Sequence, residues 1–183
     1  MTKKILLSLV VVAAIVSGVL YGKGLMAVHQ PVPPPAGLVA QKDPKTAPSV
    51  GFADASGSRH ALSDFRGQYV LLNLWATWCA PCVSELPALA SLKMQVPGLK
   101  VLAVNVYAKD KPADITSFLK AHKASLLGTL TDNDVTLERS FGAYGLPLTV
   151  LIDPSGKVVA RTEGPAEWGS PQAVAYFKNM VGG

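Results

Sequence analysis

The two cysteines of this 183-residue chain, Cys79 and Cys82, stand only two residues apart and constrain the fold more than any other feature. A nearly continuous apolar run from Tyr69 to Trp75 precedes them, and apolar residues at helical spacing follow, from Val83 to Met94. The run predicts a strand buried on both faces of a sheet, and the spacing after it predicts a helix. A Cys-x-x-Cys pair where a strand passes into a helix is typical of thiol–disulfide exchange.

Beyond residue 49, short extended runs alternate with helical patterns, which favours an α/β sandwich. Turn residues predict one hairpin over 49–61 and another over 148–161. The remaining predicted elements are strands over 100–107 and 126–131 and helices over 112–123, 134–141 and 170–181. Pro87 lies inside the cysteine helix and is expected to kink it, because proline supplies no N–H to the helix.

The N-terminal residues predict export. Lys3 and Lys4 precede an uncharged apolar stretch over 5–20, and two further residues extend it towards the about 17–25 that span a membrane. We expect a signal anchor over 1–24, with cleavage near Val16-Ser17-Gly18 as the open alternative. The expected location is therefore the bacterial inner membrane, crossed once with the domain facing the periplasm, or the periplasm itself if the signal is cleaved.

Residues 25–48 are rich in proline and poor in large apolar side chains. This composition favours extended polyproline II and cannot bury enough surface to fold alone. We therefore expect a semi-rigid tether over 25–48, followed by a single domain over 49–183.

The positive charge of the chain does not indicate nucleic-acid binding. Of its 17 basic and 12 acidic residues, five basic ones and a single acidic one lie in 1–48. The domain is therefore close to neutral, and no basic stripe with interleaved aromatic residues runs through it. Nucleic acid is not an expected partner.

The motifs of the domain resemble the thioredoxin superfamily and, within it, the membrane-tethered TlpA/ResA/DsbE-like group. The resemblance rests on Trp-Ala-Thr-Trp-Cys-Ala-Pro-Cys at 75–82, on Pro87 in the following helix, and on Gly145-Leu146-Pro147 before a strand. An insertion over 107–131 also matches that group, and residues 164–168 look particularly like TlpA.

This resemblance implies a thioredoxin-like three-layer sandwich with an N-terminal β-hairpin and a central βα insertion. It also implies a monomeric reductant whose clients are apocytochrome c or copper-handling oxidase-assembly proteins. Electrons would come from a membrane thiol transporter of the DsbD/CcdA kind. The Ala80-Pro81 dipeptide resembles reductants more than strong oxidants, which usually carry a histidine there. No cofactor is expected besides a redox-active Cys79–Cys82 disulfide.

Cys79 is the expected nucleophile, because the unpaired N–H groups and the dipole of a helix N-terminus stabilise a thiolate. Cys82, one turn further, would resolve the mixed disulfide. The alternative, a static disulfide or two buried thiols, would contribute little stability because only two residues separate the cysteines. Glu85 matches the acid that tunes the cysteines in ResA-like and DsbE-like proteins, with a solvated helix residue as the alternative.

The resemblance further implies a rim that binds client polypeptides. Pro147 is expected in the cis form, with Leu146 offering backbone groups to a client strand. Trp78 and Pro81 are expected to border the site, and Trp75 to pack in the core. Core packing of both tryptophans is the open alternative.

The sequence leaves a thiol peroxidase and a copper- or thiol-binding module as alternative functions. A thiol peroxidase would need Thr or Ser and a Pro placed before a single peroxidatic cysteine, which residues 75–79 do not provide. A copper- or thiol-binding module would need a further ligand near the pair. The three histidines, His29, His60 and His122, fall in the tether, a hairpin and a surface-like helix, so no metal site is predicted.

Overall fold

The computed structural model describes residues 32–182. The expected anchor over 1–24 and the first part of the expected tether lie outside these residues. Within the described range, the helices are too short or too polar to cross a membrane.

Eight strands form one sheet: β1 (Val39–Thr46), β2 (Gly51–Asp54), β3 (Arg59–Ala61), β4 (Tyr69–Trp75), β5 (Leu99–Asn105), β6 (Leu130–Thr131), β7 (Leu148–Ile152) and β8 (Lys157–Glu163). Their spatial order is β1-β8-β7-β4-β5-β6-β2-β3. The inner strand β4 runs parallel to β5 and antiparallel to β7, so that Leu72 lies opposite both Leu102 and Val150. This position buries β4 on both faces, as its apolar run predicts.

Between residues 32 and 182 four α-helices are present: α1 (Ala80–Gln95), α2 (Pro112–Ala121), α3 (Thr136–Ser140) and α4 (Pro171–Val181). Proline opens α2 and α4, because an N–H in the first turn has no acceptor inside the helix. Ser170 caps α4 and accepts a hydrogen bond from the Ala173 N–H at 3.1 Å. Only residues 130–131 of the strand expected over 126–131 are extended, because a 3₁₀ turn occupies 125–127.

The sheet separates two apolar layers, because successive side chains of a strand point to opposite faces. On one face α1, α2 and α4 pack against Leu71 and Trp75. On the other face α3 and the β2–β3 hairpin pack against Leu72 and Leu74. Each fully buried leucine contributes about 1.5–3 kcal/mol. The predicted α/β sandwich of three layers, with its N-terminal hairpin and its insertion, is confirmed.

The expected tether over 25–48 does not extend to residue 48. Residues Val39–Thr46 form β1, an edge strand paired antiparallel with β8. The pairing shifts register between Ala40 and Lys45, which places Pro44 in an irregular part of the strand. Proline is tolerated at an edge and at a bulge because no N–H is needed there. The folded domain therefore begins before the expected start at residue 49.

Residues 33–38 also pack on the domain. Leu38 is buried in the layer that contains α1, and the Gln172 side chain donates to the carbonyl oxygen of Pro34 at 2.9 Å. Gly37 has a φ of +90°, which favours glycine, and lies beside Thr162. This entry segment thus runs next to the end of β8 and the start of the loop that follows it.

Candidate active site

The cysteine pair lies at the junction of β4 and α1. Cys79 is the N-cap of α1, Cys82 lies in the first turn, and a disulfide of 2.06 Å joins them. The Cys82 backbone N–H donates to Cys79 Sγ at 3.3 Å. This N–H and the positive end of the helix both favour a thiolate on Cys79 once the disulfide is reduced.

Exposure distinguishes the two sulfurs. Cys82 is fully buried, whereas Cys79 is 4% exposed, and the two residues between them, Ala80 and Pro81, are exposed. Pro81 also lies in the first turn of α1, where it contributes no N–H. An incoming disulfide therefore reaches Cys79 before it reaches Cys82.

Glu85 is a buried carboxyl on the same helix, only 4% exposed. Its Oε1 accepts a hydrogen bond from Asn73 Nδ2 at 2.7 Å. Its Oε2 accepts from Trp168 Nε1 at 3.0 Å and from the Ala166 backbone N–H at 3.3 Å. Burial raises the pKa of Glu85, and the three hydrogen bonds oppose that rise without cancelling it. The alternative of a solvated helix residue is wrong.

Glu85 stands three residues after Cys82, and residues at this spacing lie on one face of a helix. The described structure thus places a carboxyl of raised pKa one turn from the buried sulfur of Cys82. Raising a carboxyl pKa brings it closer to that of a thiol, which eases proton exchange between the two groups.

Sequence reasoning missed two partners of Glu85. Asn73 lies inside the apolar run over 69–75 and has no partner predicted from the sequence, yet its side chain also donates to Thr149 Oγ1 at 2.9 Å. Trp168 belongs to the stretch over 164–168 that looks like TlpA, and nothing in the sequence links it to Glu85. One available signal was the position of Asn73, a polar residue in the middle of the apolar run of β4. A buried polar side chain needs partners, so it marks a place where other polar groups meet.

The two tryptophans of the motif divide as expected: Trp75 is fully buried and Trp78 is 64% exposed. The Leu146–Pro147 peptide bond is cis, as the resemblance implies. Leu146 is half-buried and packs against the layer that contains both cysteines. The exposed Trp78 and the half-buried Leu146 thus leave apolar side chains accessible.

An open groove of about 580 Å³ lies beside Trp78. It starts at Trp78 and follows the exposed side of α1 as far as Pro87. Its other wall belongs to the insertion and is formed by Phe118 of α2 and by His122, which follows the last residue of that helix.

The histidines of the described residues lie apart from the cysteines in sequence and in the groups they contact. His60 Nε2 is 3.1 Å from Asp54 Oδ2, and His122 packs against the Phe118 ring with centroids 4.3 Å apart. Among residues 32–182, no group of three or more His, Cys, Asp or Glu side chains is arranged to hold a metal ion. His29 lies outside the described residues.

Comparison with known proteins places these features in a family context. The sequence matches the AhpC/TSA family over residues 44–161, a range that contains Cys79, Cys82, Glu85 and Pro147. The matched range ends before Trp168.

Two curated relatives carry the name thiol-disulfide oxidoreductase ResA. The protein of Bacillus subtilis strain 168 is 36% identical over 126 residues, which cover 68% of this chain and 69% of that protein. The protein of Geobacillus thermodenitrificans is 36% identical over 115 residues, covering 62% of this chain and 64% of that protein. The chain thus spans about two thirds of the length of these relatives.

A solved structure described as a thiol:disulfide interchange protein DsbE from Chlorobium tepidum has the same fold. It superposes with a TM-score of 0.62 at 28% identity. The superposition covers 75% of this chain and 99% of that structure.

Proposed function

This chain belongs to the AhpC/TSA family and, within it, to the TlpA/ResA/DsbE-like thiol-disulfide oxidoreductases, and on that premise we propose that it reduces disulfide bonds in client proteins. The observation that carries the proposal is the position of Cys79 at the N-cap of α1, with the Cys82 N–H directed at its sulfur. A thiolate stabilised in this way attacks disulfides, whereas a thiol does not.

Reduction proceeds in two exchanges. The Cys79 thiolate attacks one client sulfur, the client S–S bond breaks, and the second client sulfur leaves as a thiolate. Cys82 then loses its proton and attacks Cys79 Sγ, which releases the first client sulfur and forms the Cys79–Cys82 disulfide. The two client sulfurs gain the two electrons that the cysteine sulfurs lose, and each client thiolate then takes a proton from the solvent. Glu85 receives the proton of Cys82 in the second exchange.

The direction, place and partners of the reaction are part of the proposal. The Ala80-Pro81 dipeptide supports a reductant, and the apolar N-terminal stretch supports an anchored domain in the periplasm. We assign the clients to apocytochrome c or copper-handling oxidase-assembly proteins. A membrane thiol transporter of the DsbD/CcdA kind would return the two electrons to the disulfide.

Single cysteine variants test the mechanism. Reduced protein is mixed with a synthetic peptide that carries a Cys-x-x-Cys-His disulfide, and free peptide thiols are measured. We expect Cys79→Ala to abolish reduction and Cys82→Ala to accumulate a mixed disulfide between protein and peptide. Ser91→Ala, on the same helix and remote from the cysteines in sequence, is the control and should keep wild-type activity. Full activity in both cysteine variants would refute the mechanism.

The redox equilibrium of the pair with glutathione tests the direction. A reduction potential well below about −180 mV supports a reductant, whereas one near about −120 mV reverses the assignment. Peroxide consumption as fast as peptide reduction would favour a thiol peroxidase. Tight stoichiometric copper binding with negligible peptide reduction would favour a binding module.

A further inference from the structure

The turn in front of Cys79 is held by the loop that follows β5. The Cys79 N–H donates to the carbonyl oxygen of Ala76 at 3.1 Å, which puts Thr77 and Trp78 at the two corners of a turn. The Thr77 hydroxyl donates to Asp110 Oδ2 at 2.8 Å. The Trp78 ring meets the Tyr107 ring edge-on, with centroids 6.2 Å apart. Both corner residues thus contact residues 107–110.

Asp110 connects this loop to the end of β5. Its Oδ2 also accepts a hydrogen bond from Asn105 Nδ2 at 2.9 Å, and its backbone N–H donates to the Tyr107 carbonyl oxygen at 2.9 Å. The Asn105 side chain in turn accepts from the Tyr107 N–H at 2.9 Å. The loop is therefore a closed network, and the Thr77 hydroxyl joins the turn to it by a hydrogen bond. Hydrogen bonds to a carboxylate are stronger than neutral ones.

Trp78 depends on this support because little else covers it. Its side chain is 64% exposed, whereas Trp75 and Trp168 are fully buried. An exposed side chain without support occupies several rotamers, and a client has to immobilise it on binding. A turn that already fixes Trp78 removes part of that cost.

We propose that Asp110, acting through Thr77, is a positioning residue that pre-orders Trp78 as a platform for polypeptide clients. The proposal rests on the proposed function, since it concerns how the same site receives its client. Neither side chain is assigned a part in the exchange of disulfide bonds. Their loss should therefore weaken the binding of a polypeptide more than it slows the chemistry.

Steady-state kinetics with two disulfides tests this division. Thr77→Val removes the hydroxyl and keeps the volume, and Asp110→Asn removes the carboxylate. For a disulfide-bonded synthetic peptide we expect KM to rise about tenfold, which corresponds to the upper end of the cost of immobilising one side chain on binding. We expect kcat to change by less than about twofold. The KM for glutathione disulfide, which is too small to lie across Trp78, should rise much less than the KM for the peptide.

Two further variants serve as controls. Thr77→Ser keeps the hydroxyl and should retain the wild-type KM for the peptide. Thr116→Val removes a hydroxyl from α2 that bonds to Thr129 Oγ1 at 2.6 Å, away from the turn. It should also leave the KM for the peptide unchanged, which separates a local effect from a general weakening of the insertion.

Fluorescence reports on Trp78 without any client. Trp78 is the one exposed tryptophan of the three in the chain, so acrylamide quenches its emission selectively. The anisotropy of the quenchable emission should fall in Thr77→Val and Asp110→Asn and stay at the wild-type value in Thr77→Ser. An unchanged anisotropy in the first two variants, or an equal rise of KM for both disulfides, would overturn the proposal. A wild-type protein that reduces neither disulfide would contradict the proposed function, and the anisotropy would still decide this inference.

Discussion

Replacing Trp168 with phenylalanine removes the hydrogen bond that the loop after β8 supplies to Glu85. The Trp168 Nε1 and Glu85 Oε2 atoms are 3.0 Å apart, and both side chains are buried. A hydrogen bond to a charged group contributes about 1.5–3 kcal/mol. The three ring atoms that phenylalanine lacks leave a void that costs roughly 1–2 kcal/mol more. We therefore expect Trp168→Phe to lower the free energy of unfolding by about 2.5–5 kcal/mol at a pH where Glu85 is ionised.

A double-mutant cycle separates the two contributions. In a Glu85→Gln background the void remains, but the lost hydrogen bond is a neutral one of about 0.5–1.5 kcal/mol. The two substitutions should therefore be coupled by about 1 kcal/mol or more. Urea unfolding of the oxidised protein, followed by circular dichroism, measures all four free energies. Additivity within about 0.3–0.5 kcal/mol would refute the reasoning, because it would mean that the indole does not distinguish a carboxylate from an amide.

Two further substitutions address the charge of Glu85 and the packing of the hairpin. Burial raises the pKa of Glu85 above its ordinary value of 4.5, so the folded protein binds more protons than the unfolded one between 4.5 and the folded pKa. The free energy of unfolding of the wild-type protein should therefore fall as the pH rises through this window. Glu85→Gln should abolish that fall. Urea titrations at several pH values will measure both. In Gly51→Ala the new Cβ would overlap the backbone of His60 on β3. We therefore expect the free energy of unfolding, measured with urea, to fall by about 2–4 kcal/mol. An unchanged urea midpoint would contradict the pairing of β2 with β3.

Local chemistry explains why much of the fold was predictable from the sequence. The apolar run of β4 and the prolines that begin α2 and α4 act over a few residues, so their effects do not depend on distant parts of the chain. The position of Cys79 at a helix N-terminus is likewise determined by the residues next to it in the chain. Prediction of the cis bond at Pro147 came from family resemblance, because composition alone does not favour that isomer.

The surroundings of Glu85 were not predictable in this way. Asn73 is 12 residues away in the chain and Trp168 is 83 residues away, and only the assembled sheet and the loop after β8 bring them together. Strand β1 was missed for a different reason. Its proline, Pro44, lowers strand propensity, yet an edge strand with an irregular register tolerates it.

The entry segment over 33–38 and strand β1 determine where a truncated form of this domain can begin. A fragment that began at residue 49, the boundary suggested by composition, would lack β1 and leave the outer edge of β8 without a partner. An open strand edge is a template for pairing with other chains. Such a fragment would also lose Leu38, which is buried in the layer that holds the cysteines, and the contact of Gln172 with Pro34. A fragment that keeps the native surface of the redox domain therefore has to begin ahead of Pro33.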